Sequence, residues 1–370
     1  MQRPRRISRR AFFGGVGALS LAGCAATLSQ TAAPDVGQRV APPQPMPGMA
    51  GHTMVDMAAN YGNMVAGDVD PAANGFDPSA ILTDFDYGEV STLPSGQTLR
   101  SYTIHAINKL IEIAPGVTFP AWTYNGRVPG PTLRCTAGDR VRVTFTNGSD
   151  HPHSIHFHGF HAAAMDGVEP VPSGGRFVYE FDAAPFGLHV YHCHTTPFLR
   201  HIHKGLYGTF IIDPPTPRPQ AKELVMVMNA FDTNFDGGNE VYAVNTVAFH
   251  FTKHPISLTT GELVRVYLSN FTEFDLINSF HIHANLFQLY RTGTRLEADE
   301  YTDLVMLCQA ERHILEFRYD RPGAYMFHAH QSEFNQLGWM GVFEVSDQGI
   351  ASEPFQIAAR MGFCALPGGG

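Results

Sequence analysis

The sequence predicts an all-β protein built from two tandem Greek-key β-sandwich domains. Glycine (36) and proline (26) are frequent, the apolar runs are short and partly alternating, and the two halves of the 370-residue chain repeat each other. Turn residues between short alternating runs are typical of β-sandwiches. A repeat in two halves of similar length indicates a duplicated domain.

Charged residues make up only 16 % of the chain and the net charge is −9. This composition argues against nucleic acid binding, which needs a basic surface. The five cysteines are too few and too scattered for a disulfide scaffold. The sequence does not pair Cys135, Cys308 and Cys364, because export permits a disulfide but three candidates leave one thiol over.

The N-terminal residues 1–23 predict an export signal. Arginines precede an apolar run at residues 11–22, which is too short for an ordinary transmembrane helix. Residues 8–13 (SRRAFF) resemble a twin-arginine signal. Residues 21–24 (LAGC) resemble a bacterial lipobox, in which Cys24 would carry lipid. We expect an exported protein that is periplasmic or tethered by lipid to the outside of the cytoplasmic membrane, with a plain signal as the alternative to lipidation.

Residues 24–85 predict a flexible linker, because they lack periodicity and are rich in alanine, proline, glycine and aspartate. The linker contains a patch of methionines and histidine, whose soft thioethers suit Cu(I). A short segment without function is the alternative. The patch consists of Met46, Met49, His52, Met54, Met57 and Met64.

The first predicted domain spans residues 86–216 and the second 217–350, followed by a C-terminal tail at 351–370. Proline-rich residues 213–217 form a stiff break between the domains. In the first domain, strands are predicted at 99–104, 109–113, 140–145, 176–181 and 188–192. In the second domain, they are predicted at 223–228, 263–268, 287–290, 304–308, 314–319, 324–328 and 341–345.

Four sequence blocks occur in the same order in both halves, which supports the duplication. Residues 137–147 match 260–270, 154–158 match 279–283, 190–194 match 326–330, and 205–210 match 338–343. Each half therefore contains enough strands for one sandwich.

The repeats carry four His-x-His pairs at equivalent places. Alternate side chains of a strand share one face, so each pair presents two imidazoles to one metal or to two adjacent metals. Imidazoles suit copper, zinc, iron or nickel, and the pairs contain no carboxylate for hard cations. The pairs are His156/His158, His192/His194, His281/His283 and His328/His330.

A second metal set is predicted on the opposite face of the first domain. His153 and Cys193 face away from the pairs, and His201 follows in a loop. Together they form the His₂Cys set of a blue-copper electron-transfer site. In the second domain, Asn278 and Ala329 stand at the places of His153 and Cys193. Since a methyl group cannot replace a thiolate ligand, we expect one blue copper per chain.

These motifs, together with residues 122–131 (WTYNGRVPGP), resemble two-domain multicopper oxidases, or small laccases, which are built from cupredoxin domains. The resemblance covers residues 96–346. It implies a type 1 copper at His153, Cys193 and His201 and a type 2 copper at His156 and His281. It implies a type 3 pair at His158, His192, His194, His283, His328 and His330. The implied activity is reduction of O₂ to water at this trinuclear cluster, with about four coppers per chain and electrons from phenolic or metal-ion donors.

The axial position of the type 1 site departs from some relatives, in which a methionine follows the second histidine by five residues. Counting from His201 gives Leu206, next to Gly205. An apolar axial neighbour cannot donate to the metal, which favours Cu(I) and raises the potential. We expect donors to meet the exposed edge of His201, and His203 could sit beside the donor site.

The resemblance also suggests acids that relay protons to the cluster. Asp166 resembles the laccase acid that follows the first histidine pair, and Glu333 lies three residues after His330. A loop cap or a surface salt bridge is the alternative for both.

Because the cluster ligands are divided between two domains, we expect a head-to-tail homo-oligomer, with a trimer as the usual arrangement of the family. Copper nitrite reductase is the main rival. Its catalytic copper is single, and an aspartate lies two residues before the histidine that matches His158, where this chain has His156. A copper-binding electron carrier is the second rival, but it would need only the blue site.

Overall fold

The computed structural model describes residues 64–347. The predicted export signal, the lipobox, the methionine patch up to Met57 and the C-terminal tail with Cys364 lie outside these residues. Within the described part of the chain, no helix is long and apolar enough to cross a membrane.

The first sandwich has two sheets. Its strands are β1 (Phe85–Asp86), β2 (Glu89–Thr92), β3 (Thr98–Ala114), β4 (Val117–Tyr124), β5 (Thr132–Thr136), β6 (Arg140–Asn147), β7 (His156–Phe157), β8 (Arg176–Asp182), β9 (Gly187–His192) and β10 (Tyr207–Asp213). One sheet has the order β1-β5-β10-β9-β7. The other has the order β2-β3-β6-β8, with β4 paired to β3.

The second sandwich repeats this plan. Its strands are β11 (Lys222–Phe231), β12 (Val241–Val244), β13 (Ile256–Thr259), β14 (Val264–Asn270), β15 (Asn278–Ile282), β16 (Phe287–Arg291), β17 (Glu300–Thr302), β18 (Leu304–Leu307), β19 (Arg312–Phe317), β20 (Gly323–His328) and β21 (Met340–Ser346). Its sheets have the orders β12-β11-β14-β19-β16-β17 and β13-β21-β20-β15-β18.

The helices are short and lie between strands or before the first sandwich. They are α1 (Pro71–Asn74), α2 (Pro78–Ile81), a 3₁₀ turn (Ala163–Met165), α3 (Phe198–His203), α4 (His250–Lys253) and α5 (Ser332–Gln336). Asp70 and Asp77 cap α1 and α2 by accepting backbone N–H bonds. A proline in the first turn of each helix fits the same start signal.

The histidine pairs occupy the same register in both sandwiches. In the first, His156 of β7 lies opposite His192 of β9. In the second, His281 of β15 lies opposite His328 of β20. Neighbouring antiparallel strands bring directly opposed side chains within about 5 Å. The duplicated fold therefore places two pairs together in each sandwich.

The structure corrects the strand predictions at the start of the first domain. Residues 99–104 and 109–113 belong to a single 17-residue strand, β3, with an irregularity between Glu112 and Ala114. Strand β4 was not predicted because it contains Pro120, which cannot donate a ladder bond. Among the strands, β4 pairs only with β3, and Pro120 is exposed. On the other edge of β4, the Trp122 N–H donates to the Lys204 carbonyl at 2.8 Å.

The prediction of a flexible linker is wrong for residues 64–85. Met64 and Ile81 are buried in a core shared with both sandwiches. The Asn74 side chain donates to the Glu112 carbonyl and accepts from the Glu112 N–H, both at 2.8 Å. The apolar residues of this segment are irregularly spaced, so no periodicity indicated that they would be buried.

Candidate metal centres

His153, Cys193 and His201 converge inside the first sandwich. Cys193 Sγ lies 3.2 Å from His201 Nδ1 and 3.9 Å from His153 Nδ1, and the two Nδ1 atoms are 3.1 Å apart. His153 and Cys193 are fully buried, and His201 is 4 % exposed. Two imidazoles and a thiol that face one another in a dry site match the donor set of a blue copper.

Surrounding groups orient these donors. The Nε2 atom of His153 lies 3.0 Å from Ser149 Oγ, which leaves its Nδ1 directed at the thiol. The Ser154 backbone N–H donates to Cys193 Sγ at 3.4 Å. Leu206 is fully buried in the same core as Cys193, and its carbonyl accepts the Cys193 N–H at 3.0 Å. Such outer contacts fix ring orientation and the electron density at a metal ligand.

Burial sets the protonation of this site. Removal from water, reinforced at His153 by the neighbouring imidazole of His201, lowers the pKa of His153 to about 3 and that of His201 to about 4. Burial also raises the pKa of the Cys193 thiol. The imidazoles are therefore neutral and ready to bind a metal at neutral pH, whereas the thiol must lose its proton when an ion binds.

Two residues next to this site were not assigned to it by the sequence, although Trp122 begins the motif at residues 122–131. The Trp122 ring lies 5.0 Å from the His153 ring and 4.8 Å from the His201 ring, centroid to centroid. The ring of His151 also packs against Trp122 at a tilt, with the centroids 4.6 Å apart. The edge of His201 is thus covered rather than open to solvent. No repeat or spacing pattern marks Trp122 or His151, so only the structure could reveal this cover.

His203 lines a cavity of about 630 Å³ next to α3. Arg200, Lys204, Phe235 and Phe274 contribute to the same walls. His203 Nε2 accepts the Asp232 backbone N–H at 3.0 Å, and burial lowers the pKa of His203 to about 4. His203, two residues after His201, is therefore a neutral wall residue of this cavity.

The two His-x-His pairs of the first sandwich form one cluster, which we call the first quartet. It consists of His156, His158, His192 and His194. The ring of His156 lies 5.2 Å from each of the other three rings. Nε2 of His158 faces Nε2 of His192 at 3.2 Å. Burial lowers the pKa of His158 to about 3 and that of His192 to about 4, so both are neutral at pH 7.

The second quartet, His281, His283, His328 and His330, repeats this geometry. The ring of His281 lies 5.2, 5.4 and 5.5 Å from the other three rings. Nε2 of His283 faces Nε2 of His328 at 3.0 Å, the counterpart of the contact in the first quartet. The sequence predicted the four pairs. The structure brings the first two pairs together in the first quartet and the last two in the second quartet.

Backbone carbonyls select the same tautomer at equivalent histidines. In each case Nδ1 is the donor, since a carbonyl only accepts, and Nε2 is left for a metal. The pairs are His156 with Asp166 (2.8 Å), His192 with Cys193 (3.0 Å), His281 with Asp303 (2.9 Å) and His328 with Ala329 (2.7 Å). Among the described residues, the buried Nδ1 of His194 has no hydrogen-bond partner. Both observations fit quartets that bind copper.

The loop that carries Asp166 depends on Gly167. Its φ is +74°, and a Cβ there would overlap the Ile155 carbonyl oxygen. Glycine tolerates this conformation and this close approach. The Asp166 carboxylate then lies 3.2 Å from His156 Nδ1 and 3.9 Å from His161 Nε2. Asp166 thus reaches the first quartet with both its carbonyl and its carboxylate.

Glu333 is placed differently. It is exposed in the first turn of α5. No hydrogen bond or ion pair within residues 64–347 joins its carboxylate to the second quartet. Asn335 of the same helix reaches instead to His328, with Nδ2 3.4 Å from Nδ1.

The two quartets remain separate within one chain. Across the part of the chain that the structure describes, no ring contact joins a histidine of the first quartet to one of the second. Ligand atoms close enough to share an ion are found within each quartet, in His156/His158/His192 and in His281/His283/His328. The two quartets are therefore two separate groups of donors within one chain.

Comparison with known proteins gives consistent matches. Two multicopper oxidase domain models match residues 107–217 and 215–349. A crystal structure of a multicopper oxidase is 53 % identical, with a TM-score of 0.74 over 75 % of this chain and all of that chain.

More distant relatives include both oxidases and reductases. A copper-containing nitrite reductase of Neisseria meningitidis is 28 % identical over 71 % of this chain and 75 % of its own length. A multicopper oxidase of Mycobacterium tuberculosis is 32 % identical over 40 % of this chain and 29 % of its own length. Since both halves match the same family and a 53 % identical oxidase is covered along its whole length, this chain belongs to the multicopper oxidases, a family of copper oxidoreductases.

Proposed function

We propose that this protein is a laccase-like oxidase with about four coppers per chain. It would couple one-electron oxidation of phenolic or metal-ion donors to the four-electron reduction of O₂ to two waters. The observation that carries this proposal is the pair of complete histidine quartets beside a single His₂Cys set. An electron carrier would have no use for eight further histidines.

In this proposal, His153, Cys193 and His201 hold the type 1 copper, with Leu206 as the apolar axial neighbour. His156 and His281 hold the type 2 copper. The type 3 pair is held by His158, His192, His194, His283, His328 and His330. Copper in these positions would supply reversible one-electron chemistry and the capacity to bind O₂.

Cys193 connects the two kinds of site. Its thiol faces His153 and His201, whereas its sequence neighbours His192 and His194 belong to the first quartet. The backbone at Cys193 is therefore a covalent link from the electron-entry set to the oxygen-reducing set. Trp122 keeps water away from the entry set by covering both of its histidines.

In this proposal Asp166 relays protons between solvent and the cluster. Its carboxylate lies close to His156 and is 37 % exposed, so it can exchange protons with solvent. Reduction of one O₂ to two waters consumes four protons. An acid at this position would shorten the path of these protons from solvent to the cluster. Glu333 has no such contact, which makes Asp166 the stronger candidate.

We further propose that a second copy completes each cluster, in a head-to-tail homotrimer. The separation of the quartets in one chain supports this, because each presents only half of the ligands. Exposed apolar side chains lie near both quartets in sequence, as expected of surfaces that become covered. They are Phe160 and Val168 for the first, and Leu276, Ile277 and Leu286 for the second. A head-to-tail ring that closes would satisfy every half-site.

Copper nitrite reductase is the second candidate, favoured by the Neisseria relative. In that class the position two residues before the histidine matching His158 is an aspartate, whereas this chain has His156, held by the Asp166 carbonyl. The second quartet is also complete. Both features favour a trinuclear cluster over a single catalytic copper.

Copper content and acceptor use together test the proposal. The copper-loaded protein should contain about four coppers per chain and consume O₂ with a phenolic, Cu(I), Fe(II) or Mn(II) donor. About two coppers with reduction of nitrite would establish the reductase instead, and about one copper without turnover would establish a carrier. A fully loaded protein that consumes no O₂ with any of these donors would contradict the oxidase.

The place of action is a separate proposal. The N-terminal sequence, outside the described residues, supports export and a lipid anchor at Cys24. Mass spectrometry of the mature N-terminus would test it, since a lipidated protein begins at a modified Cys24.

A further inference from the structure

A third histidine cluster lies outside the copper-binding sets. His250 is the first residue of α4 and His254 follows its last residue, so the two are one helical turn apart. Their rings lie 4.7 Å apart, and His254 Nε2 is 2.6 Å from Asp68 Oδ2. One ring nitrogen of each histidine and one oxygen of Asp68 all lie within 4.8 Å of one another.

His250 has an unused ring nitrogen. It is 4 % exposed, its Nε2 lies 2.7 Å from Ser79 Oγ, and its Nδ1 has no hydrogen-bond partner in the described part of the chain. A buried polar atom without a partner is costly in free energy. When Nε2–H donates to the Ser79 hydroxyl, Nδ1 carries a free lone pair. Such a lone pair inside a histidine–carboxylate cluster is available to a cation.

We infer that Asp68, His250 and His254 form a site for one divalent ion of the zinc or copper(II) class. Two imidazole nitrogens and one carboxylate oxygen are donors that these ions accept, with solvent in the remaining position. Donors around a tetrahedral zinc ion are about 3.3 Å apart at bond lengths of about 2.0 Å. The observed separations lie on both sides of that value, from 2.6 Å between His254 Nε2 and Asp68 Oδ2 to at most 4.8 Å within the cluster. Side-chain rotations would adjust them, and Asp68 and His254 are half-exposed.

The charges around the cluster favour a cation. Asp77 Oδ1 lies 3.7 Å from His250 Nε2, which adds a second carboxylate to that of Asp68. One cation opposes them, the ammonium of Lys253, which lies 4.0 Å from Asp68 and donates to the Gly67 carbonyl at 2.6 Å. Burial lowers the pKa of His250 to about 4, so this ring is neutral at pH 7 and does not repel an ion.

The site would connect two parts of the chain that are distant in sequence. Asp68 precedes α1, in the segment expected from its composition to be flexible, whereas His250 and His254 belong to the second sandwich. An ion shared by these residues would fix the segment to the sandwich, where the hydrogen bond between Asp68 and His254 already joins them. None of the three residues belongs to the proposed copper-binding sets, so this inference does not depend on the oxidase proposal.

Zinc binding to the copper-loaded full-length protein tests the site, because filled copper sites leave only additional sites for zinc. Metal analysis after titration with Zn²⁺ and removal of free ion should give one zinc per chain. Asp68→Asn and His254→Gln should each abolish this zinc, and both replace half-exposed side chains, so folding should survive. His105→Gln, at an exposed histidine of β3, is the matched control and should keep the zinc. An unchanged blue absorbance and copper content show that zinc has not displaced copper.

Two results would overturn the inference. One is the absence of bound zinc in a wild-type protein whose copper content does not exceed that of Asp68→Asn, because a site already filled by copper(II) would show as that excess. The other is equal zinc binding by His254→Gln, Asp68→Asn and the His105→Gln control. If the first result is accompanied by a lower melting temperature of Asp68→Asn, the cluster is a hydrogen-bonded contact that fixes the segment and not a metal site. A parallel titration with Cu²⁺ shows which of the two ions the site prefers.

Discussion

Replacement of Cys193 separates the electron-entry set from the quartets. The Cys193→Ser variant loses the thiolate but leaves the orientation of His192 and His194 in place. We expect the blue absorption to disappear, copper content to fall by one ion per chain, and turnover with any donor to cease. The quartets should keep their copper, because none of their ligands is changed.

The structure also predicts a stability difference between two variants of this residue. The buried Ser154 N–H donates to Cys193 Sγ at 3.4 Å. Serine retains an acceptor at this position, whereas alanine leaves the N–H without a partner, at a cost of about 1–3 kcal/mol. In the copper-free proteins, Cys193→Ala should therefore unfold at lower urea concentration than Cys193→Ser.

The assay combines absorption spectra, metal analysis and urea unfolding of the metal-free variants. The comparison uses metal-free proteins because copper at the entry set would stabilise the wild-type protein alone. A ligand at 100 times its Kd adds about 2.7 kcal/mol to the free energy of unfolding. A Cys193→Ser variant that stays blue would refute the assignment of the entry set. A variant that loses all its copper would refute the separation of entry set and quartets.

Three further predictions concern single residues. Asp166→Asn should lower turnover by about 100-fold or more without loss of copper, and Glu333→Gln much less, because of these two acids only the Asp166 carboxylate contacts a quartet histidine within the described residues. O₂ uptake by the two variants measures the difference. Leu206→Met conserves volume and should cost less than about 1.5 kcal/mol. If Leu206 is the axial neighbour, the added thioether should lower the reduction potential of the blue copper, measured by redox titration. Burial raises the pKa of Glu273 from its ordinary 4.5 to about 7. The folded state then binds a proton that the unfolded chain has released, so the free energy of unfolding falls as the pH rises between these values. Glu273→Gln should remove this fall, and equal pH dependence of urea unfolding in both proteins would contradict it.

The metal-binding pattern could be predicted because it depends on spacing. A His-x-His pair places both imidazoles on one face of a strand wherever the strand lies. The duplication then supplied the partner of each pair, as the contacts of His156 with His192 and of His281 with His328 show. Local periodicity and an internal repeat are both visible in one sequence.

The surroundings of these ligands could not be predicted, because they depend on contacts between distant segments. Trp122 meets His153 and His201 only after β4 has packed against α3. The carbonyls of Asp166 and Asp303 orient quartet histidines through the backbone, which leaves no signature in the side chains.

The ordered N-terminal segment was missed for a related reason. Composition describes the average tendency of residues 24–85, but burial of a few apolar side chains decides whether a stretch is ordered. Met64 and Ile81 find a core that both sandwiches build. The cluster of Asp68 with His250 and His254 then forms across 186 residues of sequence, a pairing that no local pattern could indicate.

The central claim is that the two quartets act together across chains. One variant, His156→Ala/His158→Ala, lacks half of the first quartet, and another, His281→Ala/His283→Ala, lacks half of the second. Each alone should be blue and inactive. Co-expressed, they should regain about a quarter of the wild-type O₂ uptake if copies associate randomly head to tail. Mixed oligomers that contain both chains, shown by mass spectrometry, and yet consume no O₂ would contradict a cluster shared between chains.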